Sequence, residues 1–500
     1  MIRRIIVKAL FASAAVTLGA LTGCPPAPAQ NTPTRERIAQ AQIDSGELNL
    51  AQIRAFGRSM ALHQFDLADG YGNGRNGATP PNFNRLLGPD TTSCNGCHGQ
   101  NNVIMGWGTN SANLLVAFDD PLNPTVAGSN ERNTPMVYGT AFVELLSREM
   151  SRALQAERDA GVISAEQTHG PVTVGLATKG VHFGSVTAYP DGTVDTSHVE
   201  GIDFDLYVRP LHHKGQEATI RIFARSALTR HMGIQSMDLM RYMDPTRSPA
   251  RWDEDQDGMV DELNEGELTA LTVFNVTLPA PVETRTGEPV VEEGRMLMTI
   301  FGCVECHKPT LKLNDPVWTD TSDAGVTLSI DLTDPALGLP RLQRQSDGSV
   351  LVPLWADLKR HDLGPESHEP LDQPVDNSRP NWAGGKRGER LPYSIPDIPK
   401  ELMLTTVLWG VGDTGPWWHD GSSPTIDDAI RRHGGEAEAA KEAYGNATET
   451  ERASLLAFLD QLRVGVVGEI FVGSKKGGDP RHLPFNSVTQ YWRVPSTHGP

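Results

Sequence analysis

The residues most able to do chemistry in this chain are two copies of one short pattern, Cys94-Asn95-Gly96-Cys97-His98 and Cys303-Val304-Glu305-Cys306-His307. Two thiols three positions apart, followed at once by an imidazole, form the arrangement at which haem c is attached. The sulfurs add to the two vinyl groups as thioethers, and the imidazole becomes the proximal iron ligand. A zinc site would need four convergent ligands, and no other Cys-His cluster lies between the two copies. A redox dithiol of the thioredoxin kind does not require the following His. Two covalently bound haems c are therefore expected, one on Cys94, Cys97 and His98 and one on Cys303, Cys306 and His307.

A further imidazole stands out by its position. Ser423-Pro424 reads as an N-cap followed by Pro at the first helical position, Asp427 and Asp428 suit the positive end of the helix dipole, and Gly434-Gly435 stops the helix. Ile426, Ala429, Ile430 and His433 then fall at i, i+3, i+4 and i+7, so His433 finishes the apolar face and points inward. A C-capping His that compensates the dipole is the alternative.

The elements that position the motifs form a concealed repeat. A helical stretch precedes each motif, about Leu50 to Leu67 and Val291 to Phe301, and an amphipathic helix closes each segment. Glu267, Leu271, Phe274 and Leu278 share the spacing of Glu451, Leu455, Phe458 and Leu462, which puts Leu and Phe on one face. Thr448 with Glu451 makes a capping box. The reading is a mainly α protein of two cytochrome c-like haem domains packed together, with short β hairpins in insertions. The first domain spans 46–280 with an insertion at about 120–250, Leu278-Pro279-Ala280-Pro281 marks the break, and the second spans 281–466, followed by an extension over 467–500. Val181 to Val199 around Pro190-Asp191-Gly192, and Leu328 to Leu354 around Ser346-Asp347-Gly348, carry the β signal.

The chain begins with Arg3, Arg4 and Lys8, an apolar run from Ala9 to Ala20, and Leu21-Thr22-Gly23-Cys24. This resembles a bacterial lipoprotein signal, which implies cleavage after residue 23 and acylation of Cys24. Pro25 after the Cys resembles lipoproteins sent to the outer membrane. Residues 24–45 are then the acylated Cys and a tether, and acyl chains rather than a protein span would hold a periplasm-facing protein to its membrane. Five hundred residues allow two or more domains. The net charge of −18 becomes −21 when the leader takes Arg3, Arg4 and Lys8 with it. Such a surface disfavours nucleic acid and attracts a basic electron-donor protein.

Trp418-His419-Asp420-Gly421 with Ala429 to Glu436 resembles the C-terminal module of the bacterial di-haem cytochrome c peroxidase superfamily, and looks most like its branch of di-haem oxidoreductases, also called thiol oxidoreductases. Phe83-Asn84, Gly88-Pro89, Arg132-Asn133-Thr134-Pro135, Lys214-Gly215, His231-Met232-Gly233-Ile234-Gln235 and His361-Asp362-Leu363-Gly364 match in order, covering about residues 80–463. The chain departs from these relatives at Leu404-Thr405-Thr406, where they have Arg-Thr-Pro; a cation near the second haem's propionates is then missing or supplied from elsewhere. The resemblance implies one haem that relays electrons and one that reacts, with His433 in the slot of the second haem's sixth ligand. It implies a peroxidase-like oxidoreductase that takes electrons from a small cytochrome c or cupredoxin and reduces an oxidant such as hydrogen peroxide. A di-haem electron carrier without enzymatic activity is the alternative, and a protein-modifying di-haem oxidase a further one.

Peroxidase chemistry needs an iron with a vacant or displaceable sixth position and a nearby acid-base group. Glu144 and Glu149 are the acid-base candidates, against the plainer reading of solvated carboxylates. His231, Met232, Met136 and Met150 are the candidate displaceable ligands. His361 would bond a propionate or be an ordinary loop residue, and Trp107, Trp409, Trp417 and Trp418 would lie between the haems or simply pack. Asp253, Asp255, Asp257 and Asp261, with Gly258 at the sixth position, form a calcium-like loop; its twelfth position is Asn264, with Glu262 or Glu265 as replacements, and the alternative is an acidic turn.

Overall fold

The computed structural model describes residues 31–72, 91–99, 114–116, 130–246, 252, 253, 255, 257–338 and 340–464. Cys24 and the leader, Phe83-Asn84, Gly88-Pro89, Trp107 and the extension from 467 lie outside them.

The organising feature is one helix crossing built twice. The first leading helix, Leu50–Leu62, starts at Asn49, whose side chain accepts from Gln52 N–H while Gln52 returns a bond to Asn49 N–H. It packs against the first closing helix, Glu265–Val276, which has the same reciprocal cap between Asn264 and Glu267. In the second half, Pro289–Ile300 packs against Glu449–Asp460, and the Thr448–Glu451 capping box read from the sequence is present. Each crossing is closed by a glycine. A Cβ on Gly57 would stand 1.9 Å from Ala270 O and 2.9 Å from Phe274 Cβ; one on Gly294 would stand 2.0 Å from Ser454 O and 2.7 Å from Phe458 Cβ. Ala270 and Phe274 occupy the positions of Ser454 and Phe458 in the register that aligns Glu267 with Glu451, so the backbone contact itself is repeated.

The rest is a mixed, mainly helical fold with small antiparallel sheets among the described residues. The first insertion holds the long helix Thr140–Thr168 and a sheet of Val172–Thr178, Val181–Ala188 and Val194–Asp195, the last two turning through Tyr189–Thr193 as the Pro-Asp-Gly signal implied. The second insertion pairs Leu311–Leu313 with Val350–Val352, and Val317–Thr321 with Thr327–Asp331. Its apolar residues, among them Leu313, Trp318, Ile330 and Val352, bury in the same core as Phe142, Leu146 and Phe274 of the first half. A break near residue 281 therefore separates the two helix pairs but not the packing. A smaller core holds Val291, Trp355, Tyr444, Leu455 and Phe458. Among the described residues no helix is long and apolar enough to cross a membrane.

Candidate functional site

Cys94–His98 is a single helical turn capped by Ser93, whose Oγ accepts Gly96 N–H at 3.0 Å. His98 Nδ1–H donates to Pro135 O at 3.0 Å, which commits that nitrogen and leaves Nε2 as the available lone pair. Burial pushes the imidazole down to about 4, so it is neutral at pH 7, the form a metal requires. Burial, with the charge of Cys97, pushes the Cys94 thiol up to about 12, the opposite of what a redox dithiol needs.

His98, Cys94 and Cys97 line one cleft, open to solvent on one side. Phe223, Ala224, Ala227 and Leu271 supply apolar walls, while Arg230 and Arg132, the latter ion-paired with Glu369, bring guanidinium groups to it. These residues fit a porphyrin: flat apolar faces for the ring, thiols for its vinyl groups, an oriented imidazole for the iron and a guanidinium group for a propionate. His231 and Met232 line the same cleft, on a π-helical turn, Leu228–Met232, that continues helix Ile220–Ala227.

Two imidazoles not singled out in the sequence also face this cleft. His212 Nε2–H donates to Glu217 Oε2 at 3.1 Å, and His213 Nε2–H to Asn133 O at 2.6 Å. Burial alone would raise Glu217, but the charge and hydrogen bond of His212 outweigh it and hold the carboxyl down to about 2. Burial and Arg132 push His213 down to about 3. The run Leu211-His212-His213-Lys214-Gly215-Gln216-Glu217 was the available signal, an imidazole pair with a carboxylate a few residues on.

Glu144 and Glu149 are corrected. Glu144 is buried away from this cleft, accepting from Ile220 N–H at 2.7 Å, Arg148 Nη2 at 2.9 Å and Trp318 Nε1–H at 3.0 Å. Glu149 accepts from Lys179 Nζ at 2.5 Å and Asn314 N–H at 3.0 Å. Glu144 ties the long helix to Trp318 of strand Val317–Thr321 and to the start of helix Ile220–Ala227, and Glu149 ties it to turn residues Lys179 and Asn314. Met136 packs beside Gly410 and Met150 is wholly buried in the core, so neither lines the cleft.

The second motif is a 3₁₀ turn, Cys303–Glu305, without a side-chain cap, and repeats the arrangement of the imidazole. His307 Nδ1–H donates to Trp355 O at 2.9 Å, and burial pushes the ring down to about 4. Cys303, Val304, Leu408, Trp417, Ile426 and Ile430 form an apolar wall on the smaller core. His433 lies just beyond helix Ile426–Arg431, which is capped by Thr425 rather than by Ser423; Thr425 Oγ1 accepts Asp428 N–H at 3.0 Å. His433 Nδ1–H donates to Ala429 O at 2.8 Å, burial lowers its pKa, and the ring lies near enough to His307 for the two to interact electrostatically. His433 is thus a second neutral imidazole on this side with Nε2 uncommitted to its own helix.

Cys306, Asp357 and His361 converge within 4.8 Å. His361 is no metal ligand, because Nε2–H donates to Asp357 at 2.9 Å and Nδ1–H to Glu436 at 2.7 Å. Burial opposes its charge, but Asp357 and Cys306 raise it to about 11, making it an imidazolium. The part owed to Cys306 vanishes if that sulfur is a thioether.

One segment touches both sites. Asn133, in the first cleft, donates its N–H to His419 O at 2.8 Å, and the neighbouring Trp418 sets its ring edge-on to His433, centroids 5.5 Å apart. Trp409 packs on Gly139, and Trp417 Nε1–H donates to Val411 O at 2.9 Å. Leu404 lies in a strand paired with Arg360–Asp362.

In the acidic loop Asp253, Asp255 and Asp257 converge within 4.8 Å. Asp261 is outside this group, a correction to the calcium-like pattern: its backbone turns at φ +55° and its carbonyl accepts Arg37 Nη2 at 2.6 Å.

No family model matches the chain, and no curated protein matches it. Among solved structures, a MauG-like protein associated with microbial copper homeostasis matches at 13% identity over 89% of this chain and 95% of that one, with a TM-score of 0.29. Hydrazine synthase of Kuenenia stuttgartiensis, pressurized with xenon, matches at 16% identity over 47% of this chain and 71% of that one, with a TM-score of 0.22. Likeness this slight carries neither fold nor activity to this chain.

Proposed function

We propose that the chain is an extracytoplasmic di-haem c-type oxidoreductase, peroxidase-like, held at the periplasmic face of the outer membrane through acylated Cys24 and supplied with electrons by a small cytochrome c or cupredoxin. The observation that carries this reading is the shared arrangement of the imidazole at the two motifs: at each, the His after Cys-x-x-Cys gives Nδ1–H to a distant backbone carbonyl and keeps Nε2 for a metal. Bound haem would supply a redox-active iron at each site.

Within this reading His98 and His307 would be the proximal ligands, and Arg230 would face a propionate at the first site, Arg132 being already ion-paired with Glu369. His433 would be the further ligand at the second site, and with both positions held that site would act as a relay. The first site would be the reactive one. His231 would be its displaceable ligand, and His212, oriented by Glu217, would be the group that holds and moves a proton there, in place of Glu144 and Glu149. Reducing hydrogen peroxide to two waters consumes two electrons and two protons; the donor provides the electrons one at a time, and His212 hands on protons from solvent. Trp418 and the Asn133–His419 hydrogen bond offer a short route between sites. The presence of His231 in the cleft is what favours the second reading, a di-haem electron carrier with both irons permanently six-coordinate.

The test uses matured protein that carries two haems per chain by pyridine haemochrome. It is titrated to the half-reduced state and given peroxide and a reduced cytochrome. Rapid donor oxidation with a high-spin haem is expected, slowed at least tenfold in His212→Ala. Two low-spin haems that bind no carbon monoxide and ignore peroxide in every redox state would leave the carrier reading.

A further inference from the structure

Loop 253–262 meets the conditions for a hard-cation site independently of the haem reading. Asp253, Asp255 and Asp257 stand at alternate positions, and Gly258 follows at φ +91°, a conformation that lets the chain wrap inward. Each carboxylate spends an oxygen on the loop's own backbone: Asp253 Oδ2 accepts Gly258 N–H at 3.1 Å, Asp257 Oδ1 accepts Met259 N–H at 2.6 Å, and Asp255 Oδ1 accepts Asp257 N–H at 3.4 Å. Asp253 Oδ1 remains buried without a hydrogen-bond partner, and Asp255 meets the Gln235 side chain.

A fourth carboxylate gives the second, independent observation. Glu262 is 1% exposed; its Oε2 accepts Gln235 N–H at 2.7 Å, while Oε1 is buried and unpartnered, and the charges around it are those of Asp255, Asp257 and Asp253. Among the described residues no Lys or Arg pairs with any of the four carboxylates. A buried carboxylate oxygen with neither donor nor cation is costly, and three converging like charges with a fourth buried carboxylate within reach of their field are more so. The twelfth position of a calcium loop cannot close this one, because Asn264 is committed to capping the closing helix at Glu267 N–H. Glu265 is likewise taken by Arg387 and Arg241. The left-handed turn at Asp261 instead brings Glu262 in two residues early.

We propose that Asp253, Asp255, Asp257 and Glu262 bind one calcium ion, with Glu262 as the closing ligand. The donor set is all oxygen, which excludes soft metals, and it is a wrapped carboxylate loop rather than the sparse one- or two-carboxylate set that magnesium favours. The ion would act as a clasp. Asn31 N–H donates to Gly258 O and Val260 N–H to Asn31 O, at 2.9 and 2.8 Å, so the loop holds the segment emerging from the tether. Through Gln235, Glu262 also holds the chain just past the cleft-lining His231 and Met232.

The full-length holoprotein, stripped with EGTA and desalted, is titrated with calcium chloride by isothermal calorimetry and melted with and without calcium. The expected result is one calcium per chain and a melting midpoint several degrees higher with the ion. Glu262→Gln and Asp255→Asn lose both the heat and the shift while keeping the native circular dichroism and Soret bands, and Asp257→Asn, at a less buried position, serves if either fails to fold. A wild-type protein that takes up no calcium at millimolar concentration, or binding retained in these variants, overturns the assignment.

Discussion

An imidazole is a well-defined metal ligand when its second nitrogen is already occupied, because that bond fixes both tautomer and ring orientation. His98, His307 and His433 all meet this condition through backbone carbonyls, Pro135, Trp355 and Ala429 respectively. His361 fails it, since both its nitrogens serve carboxylates. His433→Ala should therefore convert one low-spin ferric EPR signal to high spin, or to a different low-spin species, and leave the other unchanged; a spectrum identical to wild type would remove His433 from the iron. The Cys-x-x-Cys-His motifs and the helix end that carries His433 stand out in the sequence because their signals are local. Glu144 was misread because its partners, Trp318 and Ile220, are set by tertiary packing. His212 was missed because its orientation depends on Glu217 across a turn.

At the scale of elements, the paired register of Glu267–Leu278 and Glu451–Leu462 predicted the two closing helices and the Thr448 cap, since apolar spacing and capping chemistry are written in neighbouring residues. The glycines that let the leading helices reach them were not legible, because a helical Gly gives no local sign of what it touches. Gly294→Ala puts a methyl group where Ser454 O and Phe458 Cβ leave no room, and should cost about 1–3 kcal/mol as the helices are forced apart. Gly445→Ala is the matched control. It sits in helix Glu438–Asn446 with nothing within 4 Å of an added methyl group, so the same substitution should stabilise by about 0.5–1 kcal/mol through helix propensity alone. Opposite signs in urea unfolding support the close crossing; a neutral or stabilising Gly294→Ala would mean that the helix pair stands further apart.

For the whole molecule, the twofold occurrence of a leading and a closing helix was readable from the sequence, whereas the burial of Trp318 and Val352 in the first half's core was not, because short insertion strands carry no record of which core they join. Net charge is a property of the whole that composition does give. The full chain carries −18, and without residues 1–23 it carries −21. A field of that sign does not choose the fold, but it biases encounter: a basic donor is drawn in from beyond contact range and an acidic one is repelled. Salt removes the advantage once the screening length falls to about 10 Å, near 0.1 M ionic strength. Under the proposed function, the second-order rate of electron transfer from a basic cytochrome should fall by about tenfold or more as ionic strength rises from about 0.01 to 0.3 M. With an acidic donor it should stay level or rise. Stopped-flow oxidation of the two donors across that range checks both slopes, and a basic donor whose rate ignores salt would show that the acidic surface lies away from the point where electrons enter.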